Sequence, residues 1–332
     1  MPNSTRRDLI KKAAALGLGA VAANIPLLAN QISDRVEQGP TSVDFFSGFK
    51  QLKSTTSGAV INFVVGGKGP GLLLLHGYPQ THIIWRKIAP QLADDFTVVM
   101  PDLRGYGDSS KPAEGENHAA YSKRALAQDQ LELMTSLGFK RFAVVGHDRG
   151  GRVAHRMTLD QPDRVTKLAV LDIVPTYKLY HSVTKEFATA YFHWFFLIQP
   201  APFPETLIGN NVEFYLKDWA FRGVYPGAID SEAFAEYLRC FRDPATIHAS
   251  CEDYRAAASI DLTHDAADLR RKVSCPVLVL WAEQSAMHPL YNVLDTWKER
   301  ASNVRGGSLP GGHYLPEEAP QAVLAELKMF LR

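Results

Sequence analysis

The segment Gly146-His147-Asp148-Arg149-Gly150-Gly151 follows an apolar run through Val144-Val145 and opens a helical stretch. Strand, Gly-x-Asp-x-Gly and helix together form a nucleophile-elbow pattern, with aspartate where serine is usual. The flanking glycines permit a strained turn that aims the middle side chain out of the sheet. The plainer alternative is an ordinary turn in which Asp148 caps the helix. A carboxylate at an elbow does different chemistry from a serine. It displaces a leaving group from saturated carbon and is left carrying an alkyl ester. Water must then attack that ester, which requires a general base and donors for an oxyanion.

His313, in Pro310-Gly311-Gly312-His313-Tyr314-Leu315-Pro316, is the candidate base. A lone loop histidine is usually only surface, but the order nucleophile, acid, histidine is that of elbow-bearing hydrolases. Two acids compete for the third place. Asp172 ends the strand after the elbow helix, and Glu283 follows Leu280-Trp281-Ala282. The usual acidic position, four residues beyond the tryptophan, is Ser285, which favours Asp172. Backbone N–H groups of Tyr78, in His76-Gly77-Tyr78-Pro79, and of Arg149 are the candidate oxyanion hole. Arg149 and Arg152 stand i, i+3 on the first turn of the elbow helix. Positive charge there opposes the helix dipole, at about 0.3–1 kcal/mol each. A substrate carboxylate would compensate. Ion pairs to nearby Asp or Glu are the plainer reading.

The elements that must position these groups alternate. Stretches 49–53 and 59–65 read as strands joined by a turn-rich hairpin linker. Run 72–75 is continuously apolar, as expected of a strand buried on both faces, and 97–100, 142–145, 167–171 and 277–280 have the same largely apolar character. Helical periodicity covers 122–137 and 317–331. The expectation is an α/β fold with a mostly parallel, eight-stranded sheet and right-handed crossovers. Between 174 and 272 no buried-strand run is evident and aromatic residues abound, so a helical cap is expected there. The core would then comprise 45–173 and 273–332.

Composition narrows the classes. The chain has 332 residues and a net charge of +1, which gives no reason to expect nucleic acid or an anionic membrane as partner. Cys240, Cys251 and Cys275 fit no disulfide framework or metal spacing. No metal or organic cofactor is implied, since carboxylate, histidine and water suffice. Residues 1–30 resemble a twin-arginine export signal: Arg6-Arg7, then Leu9, Lys11 and a weakly apolar run ending near Ala23 or Ala29. That implies a periplasmic protein, or a cytoplasmic one if the stretch is not a signal. Gly17, Gly19, Asn24 and Pro26 make the run a poor membrane span. The oligomeric state stays open, a homodimer included.

Gly146-His147-Asp148-Arg149-Gly150-Gly151-Arg152 resembles the haloacetate (fluoroacetate) dehalogenase family of α/β-hydrolases. So do residues 76–82 (His-Gly-Tyr-Pro-Gln-Thr-His), 171–177, His193-Trp194, 199–202, Cys251-Glu252-Asp253-Tyr254-Arg255-Ala256 and 313–320. The resemblance runs from about residue 45 to the end; the export-like start departs from it. It implies removal of halide from a short haloacid by nucleophile Asp148, base His313 and its partner Asp172. It further implies that Arg149 and Arg152 bind the carboxylate and that His193, Trp194 and Tyr254 donate to the departing halide. All three are donor types. An epoxide hydrolase shares the Asp and His but usually needs two cap tyrosines, and a neutral epoxide has no use for paired arginines. A non-catalytic carboxylate receptor is a further alternative, disfavoured by the complete Asp148, Asp172 and His313 set.

Overall fold

A computed structural model describes residues 44–332. The export-like segment lies outside the described residues.

Eight strands form one sheet: β1 Lys50–Thr55, β2 Val60–Gly67, β3 Gly71–Leu75, β4 Thr97–Pro101, β5 Phe142–His147, β6 Val165–Leu171, β7 Val277–Ala282 and β8 Val304–Leu309. Their order is β1-β2-β4-β3-β5-β6-β7-β8. β1 pairs antiparallel with β2, and β2 with β4. The remaining pairs are parallel. β3 and β5 are buried at every residue, which explains their unbroken apolar character. The fully buried leucines of β3, Leu72 to Leu75, sit at the centre of the core. β8 was not evident as an apolar run. Its sequence is Val-Arg-Gly-Gly-Ser-Leu and it lies, half-exposed, at the sheet edge. Gly306 is required there, because a Cβ would meet the Val279 carbonyl oxygen at 1.7 Å.

The helices that matter for the site are α1 Lys123–Ser136, α2 Arg149–Asp160, α3 His193–Phe196, α4 Pro244–Ala258 and α5 Pro320–Leu331. Ser122 caps α1 by accepting from the Ala125 N–H at 3.2 Å. The terminal stretch expected as one helix from 317 is two: Leu315–Glu318, then α5 from Pro320. Proline lacks the N–H to continue a helix and suits its first turn, so the break falls there. Between β6 and β7 the described elements are helical.

Register places the chemistry. Leu75 stands opposite Gly146, His147 opposite Leu171, and Leu171 opposite Leu280. The chain therefore leaves β3, β5, β6 and β7 at one edge of the sheet, where parallel α/β sheets place ligands. Tyr78, Asp148 and Asp172 lie just beyond those ends, and Ala282 is the last residue of β7.

Candidate active site

Asp148 sits between β5 and α2 with φ 47° and ψ −116°, a conformation that costs a non-glycine residue energy and marks a functional turn. The turn is possible because α2 passes very close to β3. A Cβ on Gly150 would stand 2.4 Å from the carbonyl oxygens of both His76 and Leu75. Asp148 makes no side-chain cap to α2, so the ordinary-turn alternative fails. Its Oδ1 accepts from the Tyr78 N–H at 3.0 Å. Its Oδ2 lies 3.9 Å from His313 Nε2. Burial pushes the Asp148 carboxyl up, but the charges of His313, Arg152, His147 and Arg149 outweigh it and hold the group at about 2. It is therefore ionised at neutral pH. The Arg149 N–H, the other expected oxyanion donor, makes no hydrogen bond to Asp148 among the described residues; Tyr78 is the backbone donor engaged.

His313 Nδ1 lies 2.6 Å from Asp172 Oδ2. Asp172 Oδ1 accepts from the Ala282 N–H at 2.9 Å and the Ser285 hydroxyl at 2.7 Å. Of the two candidate acids, the structure brings Asp172 to the histidine. Glu283 is exposed and accepts from the Ser308 hydroxyl at 3.3 Å. With Nδ1–H donated to Asp172, neutral His313 turns a lone pair on Nε2 toward Asp148. Burial lowers the His313 pKa, but the hydrogen bond and charge of Asp172, then Asp148, raise it above the ordinary value.

The donor residues pack as one cluster. The Arg149 guanidinium lies over the Tyr254 ring at 4.1 Å and over Trp194 at 5.5 Å. Arg152 lies over Trp194 at 4.5 Å. Arg149 Nε donates to Asp253 Oδ2 and its Nη2 to the Asp253 carbonyl, both at 2.7 Å. The ion-pair alternative thus holds for Arg149. Arg152 instead donates to the Val174 carbonyl at 2.9 Å and the Thr176 hydroxyl at 3.1 Å, and has no carboxylate salt bridge among the described residues. Four buried nitrogens in this cluster lack a partner among the described residues: Arg149 Nη1, Arg152 Nε, His193 Nδ1 and Trp194 Nε1. Each such group costs roughly 1–3 kcal/mol unless something accepts from it. Burial holds His193 neutral, with its pKa lowered to about 3.

A cavity of about 310 Å³ lies over Asp148, walled by Tyr78, His193, Trp219, Tyr254 and His313 among others. The structure puts Asp148, His313, His193 and Tyr254 on this wall, with Asp172 buried behind His313. It does not put Arg149, Arg152 or Trp194 there; all three are buried in the packing against it.

Comparison with known proteins fits this geometry. The family described as alpha/beta hydrolase fold matches residues 70–320. A fluoroacetate dehalogenase from Burkholderia sp is 49% identical over 86% of this chain and 95% of its own. A soluble epoxide hydrolase from Corynebacterium sp. (strain C12) is 36% identical, over 82% of this chain and 94% of its own. A solved α/β hydrolase from Nostoc sp PCC 7120 superposes with a TM-score of 0.84 at 59% identity, covering 85% of this chain and 98% of that one. The chain belongs to the haloacetate dehalogenase family of α/β-hydrolases.

In this family member several residues that sequence reasoning passed over support the site. Ser285 holds the oxygen of Asp172 that His313 does not use. Glu318 accepts from the N–H groups on both sides of His313, Gly312 at 3.2 Å and Tyr314 at 3.0 Å. His147 approaches the His313 carbonyl at 2.7 Å through Nε2. No spacing rule connects these residues; only Glu318, five residues beyond His313, offered a local signal.

Proposed function

We propose that this chain hydrolyses the carbon–halogen bond of short 2-haloacids such as haloacetate, giving the hydroxy acid, halide and a proton. The observation that carries the reading is the ionised, elbow-mounted Asp148 beside a cluster of buried, unpartnered N–H donors. An anion with a leaving group that becomes an anion fits such a cluster.

Asp148 Oδ2 attacks C2 of the substrate, and the carbon–halogen bond breaks as the Asp148 ester forms. His193, Trp194 and Tyr254 donate to the departing halide, while Arg149 and Arg152 hold the carboxylate. Orienting the substrate this way supplies much of the rate. His313 then takes a proton from water as it attacks Asp148 Cγ. Charge develops on Oδ1, where the Tyr78 N–H is already aimed and the Arg149 N–H can join it. Asp172 orients His313 and stabilises the imidazolium. Residues 45–173 and 273–332 serve as the core in this scheme, and 174–272 as the cap that brings the halide donors.

The epoxide reading has less support. Two cap tyrosines, Tyr191 and Tyr254, line the cavity, but a neutral epoxide has no use for the buried Arg149 and Arg152 packed behind it. The experiment is halide release from fluoroacetate and chloroacetate, with an Asp148→Asn control and an aryl epoxide in parallel. Halide and glycolate that fall by about 10⁴-fold or more in the variant support the reading. Diol from the epoxide without halide overturns it. Residues 1–30 would direct this enzyme to the periplasm; full-length protein confined to the cytoplasm of the native host would sink that part.

A further inference from the structure

Asp253 stands one residue before Tyr254 on α4, and no step of the reaction requires it to touch substrate. It is fully buried. Its Oδ2 accepts from Arg149 Nε at 2.7 Å and from the Tyr106 hydroxyl at 2.9 Å. Its backbone carbonyl accepts from Arg149 Nη2. Its Oδ1 pairs with the ammonium of Lys123, the first residue of α1, and Lys123 also lies 3.4 Å from Asp261.

Two consequences follow from that arrangement. First, a guanidinium is a rigid, planar fork, so fixing Nε and Nη2 fixes Nη1 as well. Nη1 is the Arg149 nitrogen left without a partner. Second, the buried charges are matched: Asp253 and Asp261 against Arg149 and Lys123. Arg152 is the arginine of the pair with no carboxylate salt bridge among the described residues. Arg152 is offset instead by the nucleophile Asp148, whose charge it helps to hold, and Arg149 supplies a directed hydrogen bond.

We propose that Asp253 is a positioning residue for the substrate carboxylate: it clamps two nitrogens of Arg149, which packs behind the cavity wall, and leaves Nη1 as its one free donor. The inference rests on the haloacid reading of the site.

The test separates carboxylate binding from halide binding. Dissociation constants of acetate and of bromide are measured by tryptophan fluorescence for wild type and Asp253→Asn. Loss of one well-aimed charge-assisted hydrogen bond weakens acetate by about tenfold or more, while bromide stays near its wild-type value. In turnover of chloroacetate, KM rises with kcat little changed, as for an interaction made equally in ground and transition states. Unchanged acetate affinity, or equal loss of acetate and bromide, overturns the proposal; the second result is what a merely structural role would give. If Asp253→Asn does not fold, the double variant Lys123→Met, Asp253→Asn removes one cation with one anion, and the same comparison is made on it. Wild-type protein that binds neither anion overturns the haloacid reading itself, and the proposal with it.

Discussion

Asp148 and His313 control each other's protonation. The Asp148 carboxylate is one of the charges that raise the His313 pKa. Formation of the ester removes that charge, so the histidine becomes easier to hold neutral at the moment it must accept a proton from water. Asp172, bonded to the other ring nitrogen, keeps Nε2 as the acceptor throughout. His313→Asn removes the base without touching the nucleophile. The first half-reaction should then proceed and the second should stall. One equivalent of halide per protein is expected as a burst, and intact-protein mass spectrometry should find one added carboxymethyl group, mapped to the peptide containing Asp148. Steady turnover in that variant, or a burst with no adduct, would rule out an ester resolved by His313.

The elbow depends on the close crossing of α2 over the end of β3. That crossing sets where Tyr78, which follows β3, places its N–H relative to Asp148. Gly150→Ala would put a methyl group against two backbone oxygens, which a side-chain rotation cannot relieve. The expected cost is about 3 kcal/mol or more, read as a lower denaturant midpoint at unchanged slope. Turnover should fall further than the folded fraction does, because the oxyanion donor shifts with β3. Gly209→Ala is the control. Nothing lies within 4 Å of a Cβ there, the residue ends the helix Phe203–Gly209, and stability should be unchanged or slightly higher.

For the whole molecule, the buried histidines set the response to acid. Burial, helped by the charge of His313, lowers the His147 pKa to about 4. Burial and the charges of Arg300 and Arg156 lower that of His155 to about 3. In the unfolded chain both titrate near 6.5. Between those values the unfolded chain binds more protons, so stability is lost as pH falls below about 6.5. At pH 5 the cost is about 2 kcal/mol for each residue. The urea midpoint should accordingly drop between pH 7 and pH 5. His155 packs edge-on to Trp297 at 5.1 Å, and its Nε2 has no partner among the described residues. His155→Phe should therefore flatten the pH dependence without loss at pH 7. A variant as acid-sensitive as wild type would assign the effect elsewhere. Carboxylates held below their ordinary range, Asp148 and Asp253 among them, add their own loss only under about pH 3.9.

The order of strands and helices was legible in the sequence because strands buried on both faces must be apolar at every position, as β3 and β5 are. The elbow was legible because its glycines and its aspartate are local to one turn. His313 was legible through chain order. The choice of Asp172 over Glu283 rested on a serine at position 285, and the sequence offered no hint that this serine would itself bond Asp172. Contacts decided by the tertiary structure join residues far apart in the chain. Asp172 and His313 are 141 residues apart, and Arg149 and Asp253 are 104 apart. Such pairs depend on sheet register and on how α4 lies against the core, and neither leaves a spacing to read. For the same reason β8 carries no signature in the sequence: a half-exposed edge strand has no need of an apolar run, and its glycine answers to a carbonyl on β7. Residue types along the chain thus determined which chemistry was available. Packing between distant segments determined which carboxylate serves the base and which guanidinium nitrogen is left free, because a hydrogen-bond partner is chosen by proximity in space.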